Sequence, residues 1–346
     1  MNFTTDYIIG LSPMDGITDE AFRLVQTKIA KPDLMFTEFV SAEGISRGGI
    51  KLYDTLLFSP EECPIIGQLF GKDPESFYKS AIILCELGFD GVDINMGCPA
   101  KTVTQHGSGA ALIANPKLAL QIIESTKKGI EDWYTGKTKI SELDLNKKTL
   151  DVIKRNQKYS QINNRRSTIE NRPSISVKTR LGTTESTVDT WIPKLLAQDL
   201  DFLTIHGRTL KQAYAGVANW EEIKKVVNMA KNTKTKIFGN GDIQNRQQGI
   251  EYCQKYGVNG VLIGRAASGN PWCFNNHTAS PKERFSAMLL HSQLFETTFP
   301  SRQFDSLRKH FLLYTKNLSY AKSLRMKLIR LNSVKELLSL EDEFQS

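Results

Sequence analysis

The stretch Gly91-Val92-Asp93-Ile94-Asn95-Met96-Gly97-Cys98-Pro99-Ala100-Lys101 indicates both a fold and a site. Its first four residues form a short apolar run that is typical of a buried parallel strand. Asn95 and Cys98 then follow where that strand ends. In chains that alternate strands and helices, chemistry is placed at the carboxyl ends of the strands. Packing alone does not explain a thiol at this position, next to a proline and close to a lysine.

Similar apolar, β-branched runs recur along the chain, at Tyr7–Leu11, Leu34–Phe39, Pro64–Leu69, Ser174–Thr179, Phe202–Ile205, Lys236–Phe238 and Gly260–Ile263. Segments of helical period separate them, for example Glu75–Leu87, which is closed by Gly88, and Trp220–Val227. Eight strands that alternate with helices, with no break into halves, favour an α/β fold of the (β/α)8 TIM-barrel type over a doubly wound sheet.

The pattern predicts two domains: a barrel over residues 1–271 and a small all-helical C-terminal domain over 272–346. The C-terminal helices are expected at 282–299, 303–319 and 321–340, after the strands stop near Pro271. A polar, basic segment at about 129–172 interrupts the barrel before the fifth strand. We interpret it as an insertion that is helical around Leu150–Lys158, because a structureless connection of this length is uncommon in a compact domain.

Composition is that of a soluble globular protein, with 346 residues, 40% hydrophobic and 24% charged. No apolar stretch approaches the roughly 18 residues of a transmembrane helix, and the first residues do not read as a signal peptide. The cysteines at 63, 85, 98, 253 and 273 are scattered and lack metal-ligand spacing. We therefore expect reduced thiols in a cytoplasmic, monomeric protein with no metal site and no membrane partner.

The net charge of +8 is concentrated in two segments. Residues 127–172 hold 12 Lys/Arg against 6 Asp/Glu, and residues 272–346 hold 11 against 7. Within 301–330 there are eight basic residues and one acid, Asp305. Such clusters are typical of a polyanion partner, because each neutralised phosphate releases counterions. Plain solvated helix faces would give the same composition.

Unusual residues follow seven of the predicted strands: Ser12–Gly16, Gly67–Gly71, Asn95 with Cys98, Lys178–Arg180, His206–Arg208, Gly239–Asp242 and Gly264-Arg265. The glycine-rich ends of strands seven and eight predict a phosphate site, to which Arg265 adds a charged fork. Lys178 and His206 could face an electron-rich ring, and Gln68 and Asn95 its polar edge. Flavin mononucleotide (FMN) meets these requirements. A sugar-phosphate site with Lys178 as a Schiff-base lysine meets them too.

These motifs resemble the tRNA-dihydrouridine synthase family, in particular its bacterial B-type branch. The resemblance covers residues 5–128 and 173–340. It is carried by Pro13-Met14-Asp15-Gly16-Ile17-Thr18-Asp19, Thr37-Glu38-Phe39, Gly67-Gln68-Leu69-Phe70-Gly71, Asp93-Ile94-Asn95-Met96-Gly97-Cys98-Pro99, Val177-Lys178-Thr179-Arg180, His206-Gly207-Arg208-Thr209, Gly239-Asn240-Gly241-Asp242-Ile243 and Ile263-Gly264-Arg265-Ala266.

The resemblance implies a cofactor and a catalytic residue. FMN would be bound by Pro13, Met14, Asp15, Gln68, Lys178, His206, Asn240, Gly241, Asp242, Gly264 and Arg265. NADPH would reduce FMN, hydride would pass to C6 of a uracil, and Cys98 would protonate C5. A thiol with an ordinary pKa near 8.5 is protonated at neutral pH and can still give up its proton. Asp15 stands where relatives often have Ala or Glu, which is tolerated if the backbone makes the contact.

The resemblance also implies a tRNA substrate, whose target base must be turned out of the folded RNA. The C-terminal domain would hold the RNA through residues such as Arg308, Lys309 and Arg325, while Asn95, Lys101 and Arg180 would contact the substrate near the pocket. The 129–172 segment is either an extra RNA contact or a solvated, disordered loop.

Two other functions stay open from the sequence. A dihydroorotate-type dehydrogenase would use the same pocket, but it would not require a basic helical domain. A tRNA-binding module that has lost its chemistry would not require Cys98, Lys178 and the phosphate loops.

Overall fold

Nine parallel strands form one sheet in the computed structural model, which describes residues 6–161 and 172–344. The strands are β1 (Ile8–Leu11), β2 (Met35–Phe36), β3 (Val40–Ser41), β4 (Ile65–Phe70), β5 (Gly91–Met96), β6 (Ser174–Arg180), β7 (Phe202–His206), β8 (Lys236–Asn240) and β9 (Gly260–Ile263). Their order is β1-β9-β8-β7-β6-β5-β4-β2, with β3 also on β4. The predicted second strand is thus split into β2 and β3.

The two ends of this sheet are joined by backbone hydrogen bonds, so the sheet is nearly closed. Leu11 N–H donates to Leu34 O at 2.8 Å, and Asp33 N–H donates to Ile9 O at 3.1 Å. Eight strand positions that alternate with helices around a nearly closed ring make a TIM barrel, as the sequence predicted.

Helices follow the strands along the chain: α1 (Glu20–Ala30), α2 (Ala42–Ser46), α3 (Pro74–Leu87), α4 (Lys101–Thr104), α5 (Pro116–Tyr134), α6 (Lys147–Tyr159), α7 (Val188–Leu196), α8 (Trp220–Ala230) and α9 (Arg246–Tyr256). Local signals set their ends. For α3, Asp73 caps the first turn through Ser76 N–H at 3.0 Å, Pro74 begins the helix and Gly88 ends it at φ +89°. None of the helices in the described ranges is long and apolar enough to cross a membrane.

The C-terminal part is all helical, with α10 (Pro281–Thr298), α11 (Arg308–Tyr314), α12 (Ala321–Leu328) and α13 (Val334–Leu338). The second predicted helix is shorter than expected and is preceded by a 3-10 turn at Phe304–Leu307. The third is two helices, because Ser333 caps a new one by accepting from Glu336 N–H at 3.2 Å. A separate apolar cluster holds these helices together and includes Ala21 and Leu57 of the barrel.

The described part of the predicted insertion is ordered and packed on the barrel. Helix α5 runs through residue 134, and α6 covers the predicted helix at Leu150–Lys158. In α6, Thr149 and Ile153 are buried, and Asn156 Nδ2 donates to Tyr53 O at 2.7 Å. The solvated-loop interpretation is therefore wrong for residues 129–161. Residues 162–171 lie outside the described part of the chain.

Candidate active site

The barrel interior has an apolar floor with polar side chains above it. A buried cluster of Ile8, Leu34, Phe36, Ile66, Phe202, Phe238 and Leu262 is separate from the core outside the barrel. Side chains two residues further along a strand lie on the same face of the sheet. Alternation therefore takes β4 from Ile66 to Gln68, β7 from Phe202 to Thr204 and His206, and β8 from Phe238 to Asn240. The polar mouth is a direct consequence of period 2.

A buried hydrogen-bond chain runs across β4, β5 and β6. The Asp93 carboxylate accepts from Ser176 Oγ at 2.5 Å and from Gln68 Nε2 at 2.7 Å. Gln68 Oε1 in turn accepts from Asn95 Nδ2 at 3.0 Å. Because a carboxylate only accepts, Asp93 determines which end of the Gln68 amide faces it, and Gln68 then determines the orientation of Asn95.

The result of this orientation is a fixed position for the Cys98 backbone. Asn95 Oδ1 accepts from Gly97 N–H at 3.0 Å and from Cys98 N–H at 2.8 Å. From the other side, Arg180 Nε donates to Gly97 O at 2.6 Å. Three polar contacts from β5 and β6 thus hold the loop that carries the thiol.

The Cys98 thiol is half-buried and stays protonated at neutral pH. Burial raises its pKa, and the Asp15 carboxylate acts in the same direction. The Ala100 backbone, Arg180 and Lys178 oppose this only in part. A protonated thiol is a proton donor rather than an activated nucleophile.

Lys178 and His206 bring nitrogen atoms to the mouth without hydrogen bonds to other described residues. Burial and the neighbouring Arg180 lower the Lys178 pKa to about 8, against the opposing effect of Asp93. The amine is therefore mostly charged at pH 7. Burial, with Lys178 and three arginines nearby, lowers the His206 pKa far below its usual range. Its imidazole is neutral and can accept a hydrogen bond.

The ends of β8 and β9 form a cradle of backbone N–H groups. Those of Gly241, Asp242, Gly264 and Arg265 have no acceptor in the described part of the chain. Gly241 has φ +130°, which other residues rarely adopt, and a Cβ there would lie 2.6 Å from Ala218 Cβ. Unpaired N–H groups beside Arg265 are suited to an anion such as a phosphate.

Asp242 supports this cradle, and its carboxylate is already occupied. It accepts from Arg208 Nη2 at 2.7 Å, from Arg265 Nη2 at 3.0 Å and from Ala218 N–H at 2.8 Å. Arg208 is 1% exposed, and its Nη1 is buried without a partner among the described residues. The Asp242 side chain is thus a scaffold for the cradle, while its backbone N–H remains available to a ligand.

The other predicted cofactor residues are Pro13, Met14 and Asp15 after β1 and Asn240 at the end of β8. The first loop is closed by Thr18 Oγ1, which donates to Met14 O at 3.1 Å and accepts from Met14 N–H. A Cβ on Gly264 would lie 3.7 Å from Met14 Sδ, so the first and last strand ends are neighbours. Pro13 is half-buried and Asp15 exposed. Asn240 uses its Nδ2 to bind Leu262 O at 2.8 Å.

Some of the predicted RNA contacts are bound to protein partners, and others are exposed to solvent. Arg308 and Arg325 bind inside the helical part, to Asn332 Oδ1 at 3.0 Å and Thr315 Oγ1 at 2.9 Å. Arg180 is buried and binds backbone oxygens. Lys101 and Lys309 are exposed. A Cβ on Gly16 would lie 3.4 Å from Lys309 Nζ, which places this cation of the helical part against the barrel mouth.

The sequence does not predict Asp93 or Ser176 as site residues, and it marks Arg208 only within the strand end His206–Arg208. Asp93 can be recognised in the sequence, since it is a charged residue inside an apolar strand. Arg208 can be recognised as well, because it lies close to His206 at a strand end. No group of three or more His, Cys, Asp or Glu side chains within residues 6–161 and 172–344 could hold a metal ion.

Fold and site together define an enzyme of the TIM-barrel class, with a protonated thiol, an amine and an anion cradle at the carboxyl ends of its strands. The chain matches the model of the dihydrouridine synthase (Dus) family over residues 10–160 and 159–346. It therefore belongs to the dihydrouridine synthase family, which is a family of oxidoreductases. The matched ranges also include residues 129–160, which lie outside the 5–128 and 173–340 that carry the resemblance in the sequence.

Individual relatives agree with this assignment. The chain is 34% identical to a probable tRNA-dihydrouridine synthase of Staphylococcus aureus (strain Mu50 / ATCC 700699), over 97% of this chain and 92% of that protein. It is 33% identical to probable tRNA-dihydrouridine synthase 2 of Bacillus subtilis (strain 168), over 97% and 93%. Morphinone reductase, a solved structure, is 10% identical over 76% and 83%, with a TM-score of 0.46. A likeness that low adds nothing to the assignment.

Proposed function

We propose that this protein is an FMN-dependent tRNA-dihydrouridine synthase, which uses NADPH-derived hydride to reduce the C5–C6 double bond of specific uridines in tRNA. The observation that supports this most is the position of Cys98. Its half-buried, protonated thiol is held at the barrel mouth by Asn95, within electrostatic reach of the Lys178 amine. A proton donor opposite a cofactor site is what reduction of a polarised double bond requires.

The residues at the mouth fit FMN. The N–H groups of Gly241, Asp242 and Arg265, with the guanidinium of Arg265, offer donors to a phosphate at one end. Lys178 offers a cation with no protein partner in the described ranges for the electron-rich ring. When bound, FMN would supply the hydride for C6 of the uracil and would be reduced again by NADPH.

Cys98 supplies the proton for C5. With the hydride that bound FMN would supply at C6, this proton would complete 5,6-dihydrouridine and leave the sulfur as a thiolate. Water then returns the proton. The raised pKa helps twice, because it keeps the thiol protonated at neutral pH and makes its reprotonation favourable.

Two of the side chains around the thiol hold its loop in position, and a third can offset negative charge in the pocket. Asn95 and Arg180 hold the loop on both sides of Gly97. Lys178 carries positive charge at neutral pH, where it can offset negative charge that develops in the pocket.

A tRNA substrate is supported by the charge of the helical part and by the names of the relatives. Lys309 lies against the barrel mouth near Gly16, so the helical part can hold RNA while a base enters the pocket. Turning the base out of the RNA costs a few kcal/mol, which phosphate contacts can offset. Activity on tRNA implies a cytoplasmic location.

The test uses purified protein, FMN, NADPH and tRNA from a strain that lacks this gene. Dihydrouridine is mapped by mass spectrometry. We expect one or more uridines to be reduced by the wild type and by Cys63→Ala, which changes another half-buried thiol. Cys98→Ala should bind FMN normally but lose turnover by about 10²- to 10⁴-fold. No flavin binding, or equal turnover by Cys98→Ala, would refute the proposal.

A further inference from the structure

The loop between β7 and α8 exposes apolar side chains at the mouth of the barrel. Val217 is 80% exposed and Tyr214 is 59% exposed, the highest values for large hydrophobic residues in the described ranges. Neither belongs to the apolar clusters of the described residues. Single exposed apolar side chains are common on protein surfaces, so what this loop can bind depends on what holds and surrounds it.

This loop is held rigidly by two buried arginines. Arg180 Nη1 donates to Thr209 O at 3.1 Å and to Ala213 O at 3.0 Å. Arg208 donates to Ala215 O at 3.1 Å and to Gly216 O at 2.6 Å. Four carbonyl groups on the two sides of Tyr214 are thus bound by cations that are at most 3% exposed. The backbone cannot easily move to bury the tyrosine, which is presented to solvent.

The surroundings of Tyr214 are cationic. The Arg265 guanidinium lies 5.3 Å from the centre of its ring, and Arg180 binds the carbonyl of the preceding residue, Ala213, at 3.0 Å. The same Arg180 binds Gly97 O, next to Cys98. An aromatic face with positive charge around it, close to the reacting thiol, has the chemistry that binds unpaired nucleotides through base stacking and phosphate attraction.

We propose that Tyr214, supported by Val217, is a stacking platform for an unpaired nucleobase that neighbours the target uridine in the RNA. The proposal rests on the proposed function, because the target uridine is its reference point. The base would stack on the exposed ring of Tyr214.

The experiment measures tRNA binding to the FMN-saturated enzyme at several salt concentrations. We expect Tyr214→Ala to weaken binding by roughly 5- to 150-fold, the range for the loss of one stacked base. The slope of log affinity against log salt should not change, because no phosphate contact is lost. Tyr214→Phe should bind like the wild type, since the ring is retained.

Two control variants make the result specific. Tyr134→Ala removes another exposed tyrosine, at the end of α5 away from the mouth, and should bind tRNA normally. Lys309→Ala should reduce the salt slope, unlike Tyr214→Ala.

Three outcomes would overturn the platform. The first is normal tRNA affinity in Tyr214→Ala. The second is a loss of affinity in Tyr214→Phe equal to that in Tyr214→Ala. The third is a loss of tRNA affinity that is restored by raising the FMN concentration, which would mean that Tyr214 only covers the cofactor. Failure of the wild type to bind tRNA would instead refute the proposed function itself.

Discussion

Replacing Asp93 by Asn tests whether a buried carboxylate controls the position of the catalytic loop. The shape is conserved, but Asn can donate as well as accept. Gln68 is then free to turn its amide over, and Asn95 must follow. In the turned arrangement Asn95 presents its NH2 group to the Gly97 and Cys98 N–H groups, where it presently presents Oδ1 at 3.0 and 2.8 Å.

The magnitude follows from the two hydrogen bonds at risk. Each contributes about 0.5–1.5 kcal/mol, so opening of the loop becomes easier by about 1–3 kcal/mol. This equals a loss of protection against hydrogen exchange of roughly 5- to 150-fold at the Gly97 and Cys98 amides. The Cys98 proton is then misplaced, so kcat should fall more than tenfold while KM changes little.

The assay is hydrogen exchange at pH 8, followed by mass spectrometry of peptides that contain residues 95–103. At this pH the Asp93 carboxyl, whose pKa burial raises to about 6, is ionised in the wild type. Ser176→Ala is the matched control. It removes the other hydrogen bond to Asp93, at 2.5 Å, but leaves the carboxylate and therefore the amide orientations. Its peptides should exchange like those of the wild type.

Equal effects of Asp93→Asn and Ser176→Ala on hydrogen exchange and on kcat would show that the Asp93 carboxylate does not orient the Gln68 and Asn95 amides. Asp93 would then matter only as a packed side chain. Unchanged protection in Asp93→Asn would refute the orienting role of Asp93 as well. Peptides from β7 report on the barrel in each variant and should be unaffected.

Four further predictions concern the Cys98 thiol, the Lys178 amine, the Asp93 carboxyl and the packing of Ile153. Because burial raises the Cys98 pKa, alkylation of Cys98 by iodoacetamide should be slow at pH 7 and still be accelerating at pH 9; a rate that is already at its plateau at pH 7 would show a thiolate. The Lys178 amine loses its charge as pH rises through about 8, so FMN binding, measured by fluorescence quenching, should weaken from pH 7 to 9 in the wild type and less in Lys178→Met. The Asp93 pKa is raised in the folded state from 3.8 to about 6, so its contribution to stability is complete at low pH and is lost as pH rises through 6. The free energy of unfolding should therefore fall less between pH 4 and 8 in Asp93→Asn, by up to about 3 kcal/mol in urea titrations. Ile153→Ala should reduce the free energy of unfolding by about 2–5 kcal/mol, whereas the exposed neighbour Lys154→Ala should change it by less than about 0.5 kcal/mol; equal effects would mean that α6 is not packed on the barrel.

Arg180 connects the two loops on which the proposals depend. It binds the Gly97 carbonyl on one side and the Thr209 and Ala213 carbonyls on the other. The sequence suggested a substrate contact for this residue. In the structure, most of the Arg180 guanidinium is bound to these carbonyl groups. It therefore holds the catalytic loop and the Tyr214 loop in one arrangement, and the two sides of the mouth are mechanically linked.

The architecture and the location of the site could be predicted from the order of residues along the chain. Apolar, β-branched runs that alternate with capped helices are local signals, and the eight predicted strands occur in the barrel within a few residues. Since parallel strands in a closed ring all end on one side, the unusual residues after them had to meet. Cys98, Lys178 and the β8 and β9 glycine loops therefore needed only the order of the chain to be placed together.

Which of these side chains are free to bind a ligand becomes clear from the folded structure and not from local patterns. Arg180 and Asp242 resemble ligand contacts in the sequence but are occupied by protein partners, and Arg308 and Arg325 are bound within the helical part. The charged 129–161 segment is packed through Ile153. The partners that occupy these side chains can be far away along the chain. Arg180 finds its acceptor at Gly97, 83 residues away, and no local pattern encodes such a hydrogen bond.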